Sequence, residues 1–195
     1  MIKQVLVLNG PNLGRLGIRE PEVYGSATFD ELAELCRSTG RKLGLSVEVR
    51  QTDDEREMIS WVHEAADARM PVVLNPAAFT HYSYALRDAL AMRTAPLVEV
   101  HLSNPAAREA FRHTSVVAGV ADGTVAGFGL VSYQLALQAI AELAAEAEPA
   151  RSPGPELEPE PGLPEPAEPA EPAEPAEPAD PATPDLPGRA RPLDP

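Results

Sequence analysis

The chain has 195 residues and a formal net charge of −14, enough length for one ordinary domain with a remainder. The charge is concentrated: residues 146–195 hold thirteen acids against three arginines and sixteen of the 22 prolines, which leaves residues 1–145 at a net of only −4. With no basic stripe and no run that interleaves Lys, Arg and aromatics, nucleic acid is not an expected partner. No stretch approaches about eighteen consecutive apolar residues and the N-terminal apolar run is too short for a signal peptide, so neither membrane insertion nor export is expected. One cysteine, Cys36, excludes an internal disulfide and reads as a buried, inert thiol in a cytoplasmic protein.

In chain order, "QVLVL" (4–8) reads as a buried parallel strand that ends in Asn9 and Gly10. "SATFDELAELCRSTGRKLG" follows, with Thr28 and Glu31 as a capping box, Leu32, Leu35 and Cys36 as the apolar face, and a stop near Gly44. "LSVEVRQT" is a second strand. "DDEREMISWVHEAADARM" is a second helix with Met58, Ile59, Trp61, Val62 and Ala65 facing inward. "PVVLNP", "PLVEVHLS" and "GTVAGFG" supply three more strands, "SYALRDALAMRT" a third helix and "LVSYQLALQAIAELAAEAE" a closing helix. Between them "NPAAREAFRHT" is expected to form a short fourth helix opened by Asn104 as N-cap and Pro105 at its first position.

Five strands alternating with helices predict an α/β, flavodoxin-like open parallel sheet with helices on both faces, over residues 1–147. Residues 148–195 are rich in Pro, Glu and Ala, and residues 166–179 repeat Pro-Ala-Glu with a period of three, which predicts an extended, disordered, self-repelling tail. A tail of this kind serves as a solubilising appendage or, as an alternative, a proline-rich docking arm.

An open parallel sheet binds ligands beyond the carboxyl ends of its strands, at a topological switch point. Here those ends carry Asn9, Asn12, Asn75, Glu99, His101, Ser103 and Asn104, with His81 six residues after Asn75. So many polar groups at one edge point to a ligand. Arg108 and Arg112, one helical turn apart on the expected short helix, would suit a carboxylate or another small anion. The loop "GPNLGRLG" fits neither GxxxxGK[ST] nor GxGxxG and lacks the Ser/Thr-rich nest of a flavin site, which leaves acid/base chemistry without a cofactor. His63, beside Trp61, reads as structural, His113 as an end cap, and Tyr82 and Tyr84 as packing or interface residues.

"LVLNGPNLGRLGIREPEVYG", "LNPAAFTHYSYALRDAL", "PLVEVHLSNPAAREAFRHTS" and "GFGLVSYQLAL" resemble, in one unbroken register over residues 4–143, the successive signatures of type II 3-dehydroquinate dehydratase. The resemblance implies a lyase of the shikimate pathway that dehydrates 3-dehydroquinate to 3-dehydroshikimate by anti elimination through an enolate, with no metal or cofactor, in a homo-oligomer that is a dodecamer built from trimers. It makes Tyr24 the base, Arg19 the cation favouring its phenolate, Asn12 the enolate holder and His101 the general acid, supported by Glu99. Asn75, His81, Asp88, Leu102, Ser103 and Arg112 become substrate-binding residues, Asp88 from the same or a neighbouring subunit, and Arg108 a supporting one. Gly14, Gly17 and Gly25 would let the Tyr24 loop close over substrate.

The other dehydroquinase type needs an active-site lysine for its imine. Only Lys3 and Lys42 are present, both away from the active edge. Departures from the family pattern are Ala77 where Gly is common, Phe79 where Tyr is frequent and Val116 where an aromatic is common. They keep an amino-dehydroquinate open as an alternative substrate. A non-catalytic flavodoxin-like scaffold is the alternative from another class, although the acidic cluster and Asp of a receiver are missing at Asn9, Gly10 and Asn75.

Overall fold

In the computed structural model the described residues are 3–18 and 26–146; Arg19, Tyr24 and Gly25, and the expected tail over 148–195, lie outside them. The described residues fall within the first of the two units into which the chain divides, Met1–Pro153.

The sheet holds β1 (Lys3–Asn9), β2 (Leu45–Gln51), β3 (Val72–Asn75), β4 (Leu97–His101) and β5 (Gly123–Ala126). All its pairings are parallel and the order is β2-β1-β3-β4-β5. The helices are α1 (Phe29–Lys42), α2 (Glu55–Asp67), α3 (Tyr84–Ala91) and α4 (Val131–Glu146). The expected α/β sheet with helices on both faces is present, in the flavodoxin strand order.

Strand periodicity explains the layers. Side chains alternate across a strand. Val5 and Val7 therefore join Val73, Val98 and Val100 in a core shared with Leu32 and Cys36 of α1 and with Tyr133, Leu137 and Ile140 of α4. Leu6 and Leu8 point the other way, into a second core with Met58 and Val62 of α2 and Leu86 and Leu90 of α3. Each of these fully buried aliphatic side chains contributes roughly 1.5–3 kcal/mol. Ile59 and Trp61, expected to face inward, pack only partly buried against the second core. Cys36 lies in the first, where burial pushes its thiol up to about 12.

Local chemistry sets the helix starts. Thr28 Oγ1 accepts from the Glu31 N–H at 3.2 Å while the Thr28 N–H donates to Glu31 Oε2 at 2.8 Å, the reciprocal box read from the sequence. Asp54 caps α2 through the Arg56 N–H at 2.8 Å, and Ser83 caps α3 through the Leu86 N–H at 2.9 Å. Gly40 is buried where α1 crosses β2: a Cβ there would lie 2.3 Å from Val47 Cγ2.

The short fourth helix is a correction. The segment folds as two 3₁₀ turns, Pro105–Ala107 and Ala110–His113, separated at Arg108 by an extended backbone of φ −114° and ψ −163°. Asn104 and Pro105 do open the first turn as expected, with the Ala106 N–H donating to Asn104 Oδ1. Neither turn contains a buried residue, so the segment has no apolar stripe to hold a regular helix of two turns.

Candidate active site

The site lies where the strand order reverses, between β1 and β3. Asn9 and Asn75 are register partners at the ends of these strands. The Gly10 N–H donates to the Asn75 carbonyl at 2.8 Å, and a Cβ on Gly10 would stand 2.6 Å from the Pro76 carbonyl oxygen. Only glycine permits so close an approach of the two loops. Asn12, next along, holds a left-handed backbone, φ +68°. Its N–H donates to Asp53 Oδ1 at 2.7 Å, and Gln51 Nε2 donates to the same oxygen at 3.0 Å.

Leu13 and Leu16 are buried and anchor the start of the loop. Gly17 takes φ +80°, a backbone region that favours glycine, whereas Gly14 is pressed against Gln51, with 2.8 Å from a notional Cβ to Oε1. Gly14 thus serves close packing.

One cleft collects Asn12, Asn75, Ala77, His81, His101, Leu102, Ser103, Arg108 and Arg112, with Pro11, Leu13, Ala78 and Pro105 as apolar walls. Most of the groups expected at the strand ends are therefore brought together.

At the end of β4, Glu99 is fully buried and His101 largely so. His101 Nε2 stands 2.8 Å from Glu99 Oε1. Thr80 Oγ1 donates to the same oxygen at 2.5 Å, Ser115 Oγ lies 3.2 Å from both carboxylate oxygens and Thr124 Oγ1 is 3.4 Å from Oε2. Burial pushes the Glu99 carboxyl up, but the hydrogen bonds from His101, Thr80 and Ser115 outweigh it and hold the group below its usual range. An ionised Glu99 can only accept, so Nε2 of His101 carries a proton toward it. Nδ1 is then the ring nitrogen left to exchange a proton with a ligand.

His81 is oriented in the same way: a carbonyl only accepts, so its Nδ1, 2.8 Å from the Thr114 oxygen, is the donor. Its ring meets Phe111 edge-on, with centroids 5.7 Å apart. Arg108 and Arg112 share no helical face, contrary to expectation, because the backbone breaks at Arg108. Both still reach the cleft. Arg112 Nε donates to Glu109 Oε2 at 2.8 Å, and Arg108 NH1 donates to Ser103 Oγ at 3.4 Å. His113 caps no helix end, since the helix is not formed; its Nε2 donates to the Arg108 carbonyl at 3.1 Å, at the break between the two turns.

Asp88 is exposed on α3, 3.3 Å from Arg87, and does not line the cleft of its own chain. His63, Tyr82 and Tyr84 are exposed and lie outside the cleft. Ala77 has φ +49°, so the position where the family pattern favours Gly is one that strains an L-residue.

Sequence reasoning missed Thr80, Ser115 and Thr124 around Glu99, and the Asp53 carboxylate under Asn12. A buried acid at position 99 implies donors, but nothing in the local pattern says which distant hydroxyls provide them.

Fold and site together are those of an α/β protein with a polar, arginine-bearing cleft at the switch point of its parallel sheet. A family model described as dehydroquinase class II matches residues 3–141, and the chain belongs to that family. It is 62% identical over 138 residues to a Salinispora tropica protein named 3-dehydroquinate dehydratase, covering 71% of this chain and 96% of that one. A Mycobacterium avium protein of the same name is 54% identical over 137 residues, covering 70% of this chain and 96% of its own length. The crystal structure of type II dehydroquinase from Propionibacterium acnes superposes with a TM-score of 0.71 at 60% identity, covering 73% of this chain and 98% of that one.

Proposed function

We propose that the protein is a 3-dehydroquinate dehydratase of the shikimate pathway, and that the Glu99–His101 pair in a cleft with Asn12, Ser103 and Arg112 is the observation that carries this reading. Arg112 and Ser103 bind the substrate carboxylate, while Asn75, His81 and the Leu102 backbone hold the ring hydroxyls. Tyr24, as phenolate favoured by Arg19, removes the proton next to the ketone. A fixed guanidinium suits that task because a free phenol titrates near pH 10. Asn12 takes the charge that develops on the ketone oxygen.

The enolate then collapses, the carbon–oxygen bond to the leaving hydroxyl breaks, and the proton on His101 Nδ1 passes to that oxygen to release water. Glu99 holds the ring in place through Nε2 during the transfer. The ring ends neutral, and the Tyr24 proton returns to solvent.

A large homo-oligomer, the dodecamer of the family, fits the exposed Tyr82, Tyr84, Phe111 and Phe128, and a cytoplasmic location fits the buried thiol of Cys36. Exposure of Asp88 outside its own cleft fits a site completed by a second copy.

The test is turnover of 3-dehydroquinate by purified, metal-free protein, followed by the ultraviolet absorbance of the conjugated enone. Tyr24→Phe is expected to lower kcat by about 10²–10⁴-fold with folding intact. A rate unchanged in that variant would remove Tyr24 from the mechanism. Folded wild-type protein that fails on 3-dehydroquinate but converts the amino analogue would reassign the substrate.

A further inference from the structure

Beneath the cleft lies a buried polar relay, of which the steps above use only Asn75. Tyr133 on α4 and Asn9 at the end of β1 are fully buried, and Asn75 is 3% exposed. Asn9 Nδ2 donates to the Arg50 carbonyl at 3.0 Å, and the Tyr133 hydroxyl donates to Asn9 Oδ1 at 2.6 Å. Asn75 Nδ2 donates to the Tyr133 hydroxyl at 2.8 Å, and Asn75 Oδ1 accepts the Ala77 N–H at 3.1 Å.

The direction of every bond in this chain follows from its first member. A backbone carbonyl only accepts, so the Arg50 oxygen fixes the Asn9 amide with its nitrogen toward β2 and its oxygen toward Tyr133. That oxygen takes the one hydroxyl proton of Tyr133. The phenol, kept protonated by burial, then offers only a lone pair to its other neighbour. Asn75 must present its nitrogen there, and its oxygen is left for the Ala77 N–H. Ala77, at φ +49° and lining the cleft, is held in an unfavourable backbone region by that bond.

We propose that Tyr133 is a positioning residue: without touching substrate, it fixes the orientation of the Asn75 amide and, through it, the Ala77 turn that shapes the cleft. With phenylalanine at 133 the Asn75 amide loses the neighbour that selects its orientation, and the turn loses its fixed acceptor. The kinetic part of the test rests on the dehydratase reading; the exchange part does not.

For Tyr133→Phe we expect KM for 3-dehydroquinate to rise about tenfold with little change in kcat, as loss of uniform binding requires. Asn75→Ala should raise KM similarly, and the double variant should be no worse than Asn75→Ala alone, since the two share one interaction. Hydrogen exchange read by mass spectrometry should speed up over residues 76–81 in Tyr133→Phe relative to residues 4–8 of β1.

A network that only supports the fold would lower the melting temperature and leave KM and the relative exchange of 76–81 unchanged. That result overturns the proposal, as does a double variant in which the two effects multiply. If wild-type protein shows no dehydratase activity, the functional reading fails while the exchange comparison still decides the role of Tyr133. If Tyr133→Phe does not fold, Asn9→Ala removes the acceptor that directs the hydroxyl proton, keeps the phenol ring in the core, and is read in the same two ways.

Discussion

At Glu99, burial and hydrogen bonding oppose each other, and hydrogen bonding prevails. Because the folded-state carboxyl lies below its unfolded value of about 4.3, its contribution is complete above that pH and is lost as pH falls through the folded value. Glu99→Gln keeps the shape and removes the charge. Denaturant midpoints should show the variant less stable at pH 7 by roughly 1–3 kcal/mol, with the gap closing below about pH 4. A gap independent of pH would mean that Glu99 is not the group that titrates. Asn12, His101 and Ser103 were legible in the sequence because they sit at or just beyond strand ends within long motifs, and Arg112 because its motif continues past β4. Tyr133 was not, since a tyrosine in an apolar helical run reads as packing, and only the fold reveals that its hydroxyl meets two asparagines.

At the level of elements, strands and capped helices were readable because period and cap chemistry agree, as at Thr28 and Glu31. Gly40 shows where local rules stop. In an isolated helix alanine would be favoured over glycine by about 1 kcal/mol. Here a Cβ at Gly40 would collide with Val47 Cγ2 and lie 3.2 Å from the Leu45 carbonyl, so α1 could not keep its seat on β2. Gly40→Ala is expected to destabilise the fold by roughly 1–3 kcal/mol in thermal or denaturant unfolding; a stabilised variant would show that β2 yields at little cost. The segment after β4 failed in the opposite sense. "NPAAREAFRHT" has the composition and cap of a helix, yet Ala106, Ala107, Ala110 and Phe111 all stay exposed, and the backbone opens at Arg108 instead.

Across the whole molecule, the strand order sets the ends of β1, β3 and β4 side by side, so Asn12 and Arg112, a hundred positions apart, share one cleft. Alternation of strands and helices gave the fold class, whereas the order itself depends on which crossovers pack, a property no local window contains. The family match stops at residue 141, and most of the net charge of −14 lies beyond it. Removal of residues 148–195 is therefore expected to leave kcat, KM and the melting temperature unchanged while making the protein less soluble, by loss of like-charge repulsion. A fall in kcat on truncation would give the tail a part in catalysis. Cys36 has a practical consequence. The chain's one native thiol is sealed in the core with its acidity suppressed to about 12, so it offers almost no thiolate to alkylating reagents at neutral pH. The natural sequence already behaves as a cysteine-free background: Ile18→Cys, at a site 73% exposed where the loop departs, would carry a fluorophore or spin label alone.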